Sequence, residues 1–183
     1  MTGTVTKTEE KQPEPWLRGT LTDVPAVIRA VLHALELARE DAERWCGKLT
    51  GIEMNARPAG LPSVAFQLQH IRGSVDRLLT YAEGRALSEE QMAEFRREAQ
   101  GVMPQVLLRE FERSMERANE RVRGLIGADL EAERFVGRKH LPTTLGGLLV
   151  HVAEHTQRHV GQMVTTAKLV KATREAATSP ESQ

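Results

Sequence analysis

The stretch TTLGGLLVHVAEHTQRHVGQMVTTAKLV, residues 143–170, contains no proline and spaces its apolar residues at helical intervals. At about 100° per residue with Leu145 at zero, Leu149, Val152, Met163 and Val170 fall within about 40° of it. One apolar stripe sustained over so many turns needs other helices to cover it. Thr143 or Thr144 offers an N-cap, and the spacing predicts a helix running to about Ala172.

The rest of the chain reads the same way. A first helix is expected from near Asp23, with Pro25 tolerated in its first turn, and its stripe runs from Val24 through Val31, Leu35, Ala38 and Ala42 to Leu49. The segment GIEMNARPAGLPS, residues 51–63, then breaks it. A second helix is expected from about Pro62 to Ala82, with Val64, Leu68, Ile71 and Val75 inside and Gly84 as the stop. Ser88 before EEQM has the form of a capping box and opens a shorter helix to about Gln100. A third long helix covers 104–123. Ala, Leu, Glu and Arg dominate and no strand is expected, so the class is all-α: a four-helix bundle with an extra short helix in a long crossover. Residues 1–15 and 173–183 lack periodicity and are expected to be flexible.

Composition narrows the function classes. The chain has 183 residues, with 25 Lys+Arg against 25 Asp+Glu, a net charge of zero that leaves no electrostatic footprint for nucleic acid. No apolar run approaches the roughly 20 residues of a membrane span, so no membrane partner is expected. The polar start, MTGTVTKTEEKQPEPW, has no apolar segment of the signal-peptide kind. A single cysteine, Cys46, excludes an internal disulfide and fits a reducing, cytoplasmic location. On the first helix Cys46 is read as a small buried hydrophobe rather than a nucleophile.

Half of the chain's 6 histidines, His151, His155 and His159, stand at intervals of four in the opening stretch. Two ligand pairs compete. HVAEH, residues 151–155, has the H-x-x-E-H form of inverted zinc peptidases, with Glu154 as base. HTQRH, residues 155–159, is the alternative pair one turn apart. On the helical wheel His159 lies about 40° from the stripe, His155 about 80°, His151 about 120° and Glu154 about 180°. The stripe therefore favours His155 with His159, because a base turned away from the core does not reach a metal inside it. Two imidazoles rarely suffice, and a third ligand from a facing helix is ordinary in bundles. His70, in FQLQHIRGSVDRLL, lies on the flank of the second helix with Gln67, Ser74 and Tyr81. His33 and His140 have no local partners.

A helical chain with one histidine on its second helix, followed by TLGGLLVHVAEHTQRHVGQM, resembles the DinB-like family of metal-dependent proteins. The resemblance covers about residues 16–172. It implies an up-down-down-up bundle, often a homodimer, with a divalent metal in a pocket at one end. Carried over by position, His70, His155 and His159 correspond to the three metal ligands, and Gly161–Gln162 to the Gly-Gln that follows them. Many members have Arg just after the last histidine; this chain has Val160 and lacks that cation. Three nitrogens accept zinc or nickel, and also manganese or iron.

Such a site lowers the pKa of a bound thiol or water and polarises a carbonyl. The function implied is a metal-dependent transferase conjugating a low-molecular-weight thiol to an electrophile. The alternatives are a hydrolase of a small amide or ester, or a non-catalytic dimeric metal-binding protein. A small-molecule substrate is expected. His151, Gln162, Ser74 and Tyr81 are candidates for hydrogen bonding around the ligands or lining the pocket, while Glu154 is read as a solvated residue or dimer contact.

Overall fold

The computed structural model describes residues 12–98 and 104–178. Four long helices, α1 (Ala26–Cys46), α3 (Val64–Ala82), α5 (Pro104–Arg123) and α6 (Leu145–Thr178), form the bundle. Two short ones, α2 (Gly51–Asn55) and α4 (Glu89–Arg97), sit in the connections.

Side-chain contacts give the helix directions. Gln157 of α6 reaches Ala34 of α1, and Lys168 lies over the Trp45 ring eleven residues further along both helices, so α1 and α6 run parallel. Arg72 pairs with Glu110 and Glu83 with Arg121, so α3 and α5 also run parallel. Thr166 donates to the Pro62 carbonyl while His159 packs on His70, which sets α6 antiparallel to α3. This is the up-down-down-up arrangement, with the crossover between α3 and α5 carrying α4.

The core is continuous through all four helices: Leu32 and Leu35 of α1, Leu68, Ile71 and Leu79 of α3, Leu107, Phe111 and Met115 of α5, and Leu145, Leu149 and Met163 of α6 are essentially fully buried. Cys46 is buried among them, and burial pushes its thiol pKa up to about 12.

The first helix starts later than its Asp23 cap would place it. Pro25 is the N-cap, in an extended conformation, and its carbonyl accepts from the Arg29 amide at 2.8 Å. The physical reason is Pro25 itself, whose ring disfavours helical geometry at Val24. Inside the expected break, Thr50 and Glu53 form a capping box that opens α2. The Ser88–Gln91 capping box opens α4 as expected; the expected end near Gln100 lies outside the described residues. At the other end α6 continues to Thr178, so residues 173–178 extend the helix instead of forming a tail.

The expectation of no strands is corrected by a hairpin, β1 (Glu133–Val136) with β2 (Leu141–Thr144), in the register Glu133↔Thr144. Two four-residue strands, one holding a proline, are too short to leave a period-two signal. Gly137 at φ 70° and His140 at φ 47° turn the chain between them. The hairpin delivers Thr144 directly to α6, where its hydroxyl accepts from the Gly147 amide at 3.0 Å. Leu145 and Gly146 donate back to the carbonyls of Ala132 and Leu130. A Cβ at Gly146 would approach the Leu130 carbonyl oxygen to 3.2 Å, so the glycine permits this close start.

Candidate metal centre

The antiparallel packing of α3 on α6 brings His70 opposite the His155/His159 pair. The three rings lie 4.3 Å (His70–His159), 4.5 Å (His155–His159) and 5.2 Å (His70–His155) apart between centroids. Each offers a ligand nitrogen, and these nitrogens all lie within 4.8 Å of one another. His151 is left at the edge: its ring is 5.5 Å from that of His155, and its side chain is 44% exposed. Glu154 is 54% exposed and is engaged by Arg158, with His151 Nδ1 3.6 Å away. Among the described residues the group able to hold an ion is therefore His70, His155 and His159, and His151 and Glu154 lie outside it.

Two of the three rings are oriented from behind by α3 and α4. His159 Nδ1 is 2.8 Å from Gln67 Oε1, and an amide oxygen can only accept, so the proton is on Nδ1 and the Nε2 lone pair is free. Gln67 is fully buried, and its Nε2 donates to Gln162 Oε1 at 2.9 Å. Gln162 thus joins the hydrogen-bonded group behind His159, through Gln67 and by its own side chain. His70 Nδ1 lies 2.9 Å from Glu98 Oε2. Burial alone would raise the Glu98 carboxyl, but hydrogen bonds from His70 and Arg77 outweigh it and hold it below the ordinary range.

The third ring differs. His155 Nδ1 is buried with no hydrogen-bond partner among the described residues. A buried polar atom with no partner costs about 1–3 kcal/mol, so this nitrogen is open to a group other than the described residues. Burial first, then the neighbouring His159 and His70, push the His155 pKa down to about 4. Burial and then His70 lower that of His159 as well. Neutral imidazoles with convergent nitrogens are the donor set a divalent transition metal requires. The residues present fit such an ion.

Of the other residues expected near the site, Ser74 is buried, its hydroxyl 3.4 Å from His70 Nε2 and accepting from Arg77 at 3.3 Å. Tyr81 is not brought there; it lines a separate groove with Arg85, Met92 and Arg134 beside the hairpin. His33 is buried on α1, 3.1 Å from the Thr20 hydroxyl, and His140 turns the hairpin. Glu98 and Arg77 are additions that the sequence did not mark. Gln67 was visible only as a neighbour on the His70 flank.

Fold and site together define a class: a helical bundle whose last helix supplies two imidazoles to a third on the antiparallel helix facing it. The chain belongs to the DinB superfamily, whose sequence profile matches residues 34–163. Among solved structures, YfiT from Bacillus subtilis, described as a probable metal-dependent hydrolase with an unusual four-helix bundle topology, is similar. Its TM-score is 0.56 at 15% identity over 77% of this chain and 86% of its own, a likeness of fold. No curated protein matches the chain in sequence. No helix among the described residues is long and apolar enough to cross a membrane.

Proposed function

We propose that this protein is a metal-dependent enzyme that activates a small nucleophile at a divalent ion held by His70, His155 and His159. The observation that carries the reading is the convergence of three ligand nitrogens within 4.8 Å; beside it, His155 Nδ1 is buried with no partner among the described residues. An ion there supplies Lewis acidity, which lowers the pKa of a thiol or water and polarises an electrophile. The chain's own residues prepare that position: Gln67 keeps the His159 proton on Nδ1, and burial keeps His155 neutral in the physiological range.

Transfer of a low-molecular-weight thiol to an electrophile is the leading chemistry. The carboxylate at the cluster, Glu98, is committed to His70 and Arg77 and does not serve as a base. A thiol, with a pKa of about 8.5, needs far less help to ionise than water does. Hydrolysis of a small amide or ester is the second reading, favoured by His151, a half-exposed imidazole beside the cluster able to carry a proton to a leaving group, and by the description of YfiT. A small-molecule substrate, a homodimeric assembly and a cytoplasmic setting accompany both.

Metal per chain, measured by plasma mass spectrometry on tag-free protein, tests the centre. About one ion per chain is expected. It should be lost in folded His70→Ala, His155→Ala and His159→Ala variants and kept in His151→Ala. Loss only with His151 and His155 would restore the H-x-x-E-H pair, and absence of metal under every loading condition would sink the reading. Thiol and ester substrates, offered to the loaded protein, then separate transfer from hydrolysis.

A further inference from the structure

We infer that Glu98, at the end of the crossover helix α4, is the positioning residue of the centre. It fixes His70 with its proton on Nδ1 and its Nε2 lone pair turned to the other two histidines. The inference rests on the metal reading above, but its first consequence is visible without metal.

The observations come from three elements. Glu98 is buried, with one carboxylate oxygen 2.9 Å from His70 Nδ1 and the other paired with Arg77. A carboxylate held this way accepts from an imidazole N–H, and such a partner behind a metal-ligating histidine sets its tautomer, its ring orientation and its basicity. On the opposite side of the ring the Ser74 hydroxyl accepts from Arg77 and lies 3.4 Å from His70 Nε2, so the tautomer is set from the Glu98 side.

α4 is shaped to deliver this carboxylate. No residue of α4 itself is buried. It is tied to α3 through polar and stacking contacts: Gln91 donates to Asp76 and to Thr80, and the Arg77 guanidinium lies 4.6 Å from the Phe95 ring centroid. Gly73 makes the approach possible. It stands in the middle of α3, where glycine costs about 1 kcal/mol relative to alanine. A Cβ at that position would collide with the Glu98 carboxylate and the Arg77 guanidinium. A glycine that weakens its own helix but opens this space has a reason in Glu98, which otherwise has no need to be so close.

The test uses the full chain in three variants, Glu98→Ala, Glu98→Gln and Gly73→Ala, with folding followed by circular dichroism. Two-bond proton–nitrogen spectra of the metal-free proteins, assigned with His70→Ala, should show His70 protonated on Nδ1 in the parent. A mixture of tautomers should appear in Glu98→Ala and Gly73→Ala, and Glu98→Gln, which keeps an acceptor oxygen, should restore most of the Nδ1 form. Zinc affinity measured by chelator competition should fall about 10–100-fold in Glu98→Ala and Gly73→Ala. The tautomer change in both variants is the readout that a merely structural role does not produce. An unchanged His70 tautomer together with parental zinc affinity in Glu98→Ala and Gly73→Ala would overturn the inference while leaving the metal centre intact. If the parent binds neither zinc nor any other divalent ion offered, the proposed function fails by itself, and the tautomer of His70 still decides for or against Glu98.

Discussion

Gln67 shows how much a single side chain carries here. It is fully buried on α3, accepts from His159 and donates to Gln162, so it joins two helices through one amide. Replacing it by leucine keeps the volume but strands the His159 Nδ1–H on the side of the ring that packs against the buried residue 67. Gln67→Leu should lower stability by about 1–3 kcal/mol, the cost of an unsatisfied buried donor. Gln162 is exposed, so Gln162→Ala should stay within about 0.5 kcal/mol, because water replaces its oxygen. Urea midpoints at constant slope measure both; equal losses in the two variants would mean that the relay does not run through Gln67.

At the scale of elements, the site depends on how α6 begins. Thr144 ends β2 and caps α6 at once, and the carbonyls of Leu130 and Ala132 take up the first amides of the helix. The phase of a helix is set at its start, so this junction also aims His155 and His159. Thr144→Ala should cost about 0.5–2 kcal/mol, the usual loss of an N-cap hydroxyl. Thermal unfolding compared with Thr143→Ala, whose hydroxyl does not accept from Gly147, measures it; equal effects would assign the cap to neither residue alone. The N-cap was legible as a choice between two threonines, but the hairpin feeding it was not, since its pairing is non-local and its strands are four residues each.

For the whole molecule, the decisive relation is that between the core and the centre. The apolar core runs unbroken through α1, α3, α5 and α6, while the three histidines lie on the α3–α6 seam at its edge. A bundle with such a core should fold without the ion, and binding should add stability by mass action. Zinc at about 100 times its Kd should add about 2.7 kcal/mol, and chelation should remove it while leaving a cooperative, helical protein. Calorimetry with and without chelator measures this. Unfolding on metal removal would instead make the ion structural and favour the non-catalytic alternative.

The sequence by itself determined the class of fold, the four long helices and the ranking of the histidines, because these follow from residue spacing along one helix. A period of about 3.6 residues puts His155 and His159 beside the apolar stripe and Glu154 opposite it, whatever else the chain does. His70 was a candidate from its flank on the second helix, and the family resemblance pointed to the same residue. Only the tertiary structure decided what stands behind the three histidines. Glu98 is 28 residues from His70 and Gln67 is 92 from His159, and hydrogen bonds across such separations have no periodicity to announce them. Tyr81 makes the same point in reverse: it shares a flank of α3 with His70 but lies eleven residues on, about 16 Å along the axis at 1.5 Å per residue. A shared helix face gives direction but not depth along the bundle, and depth is set by the packing of one helix on another.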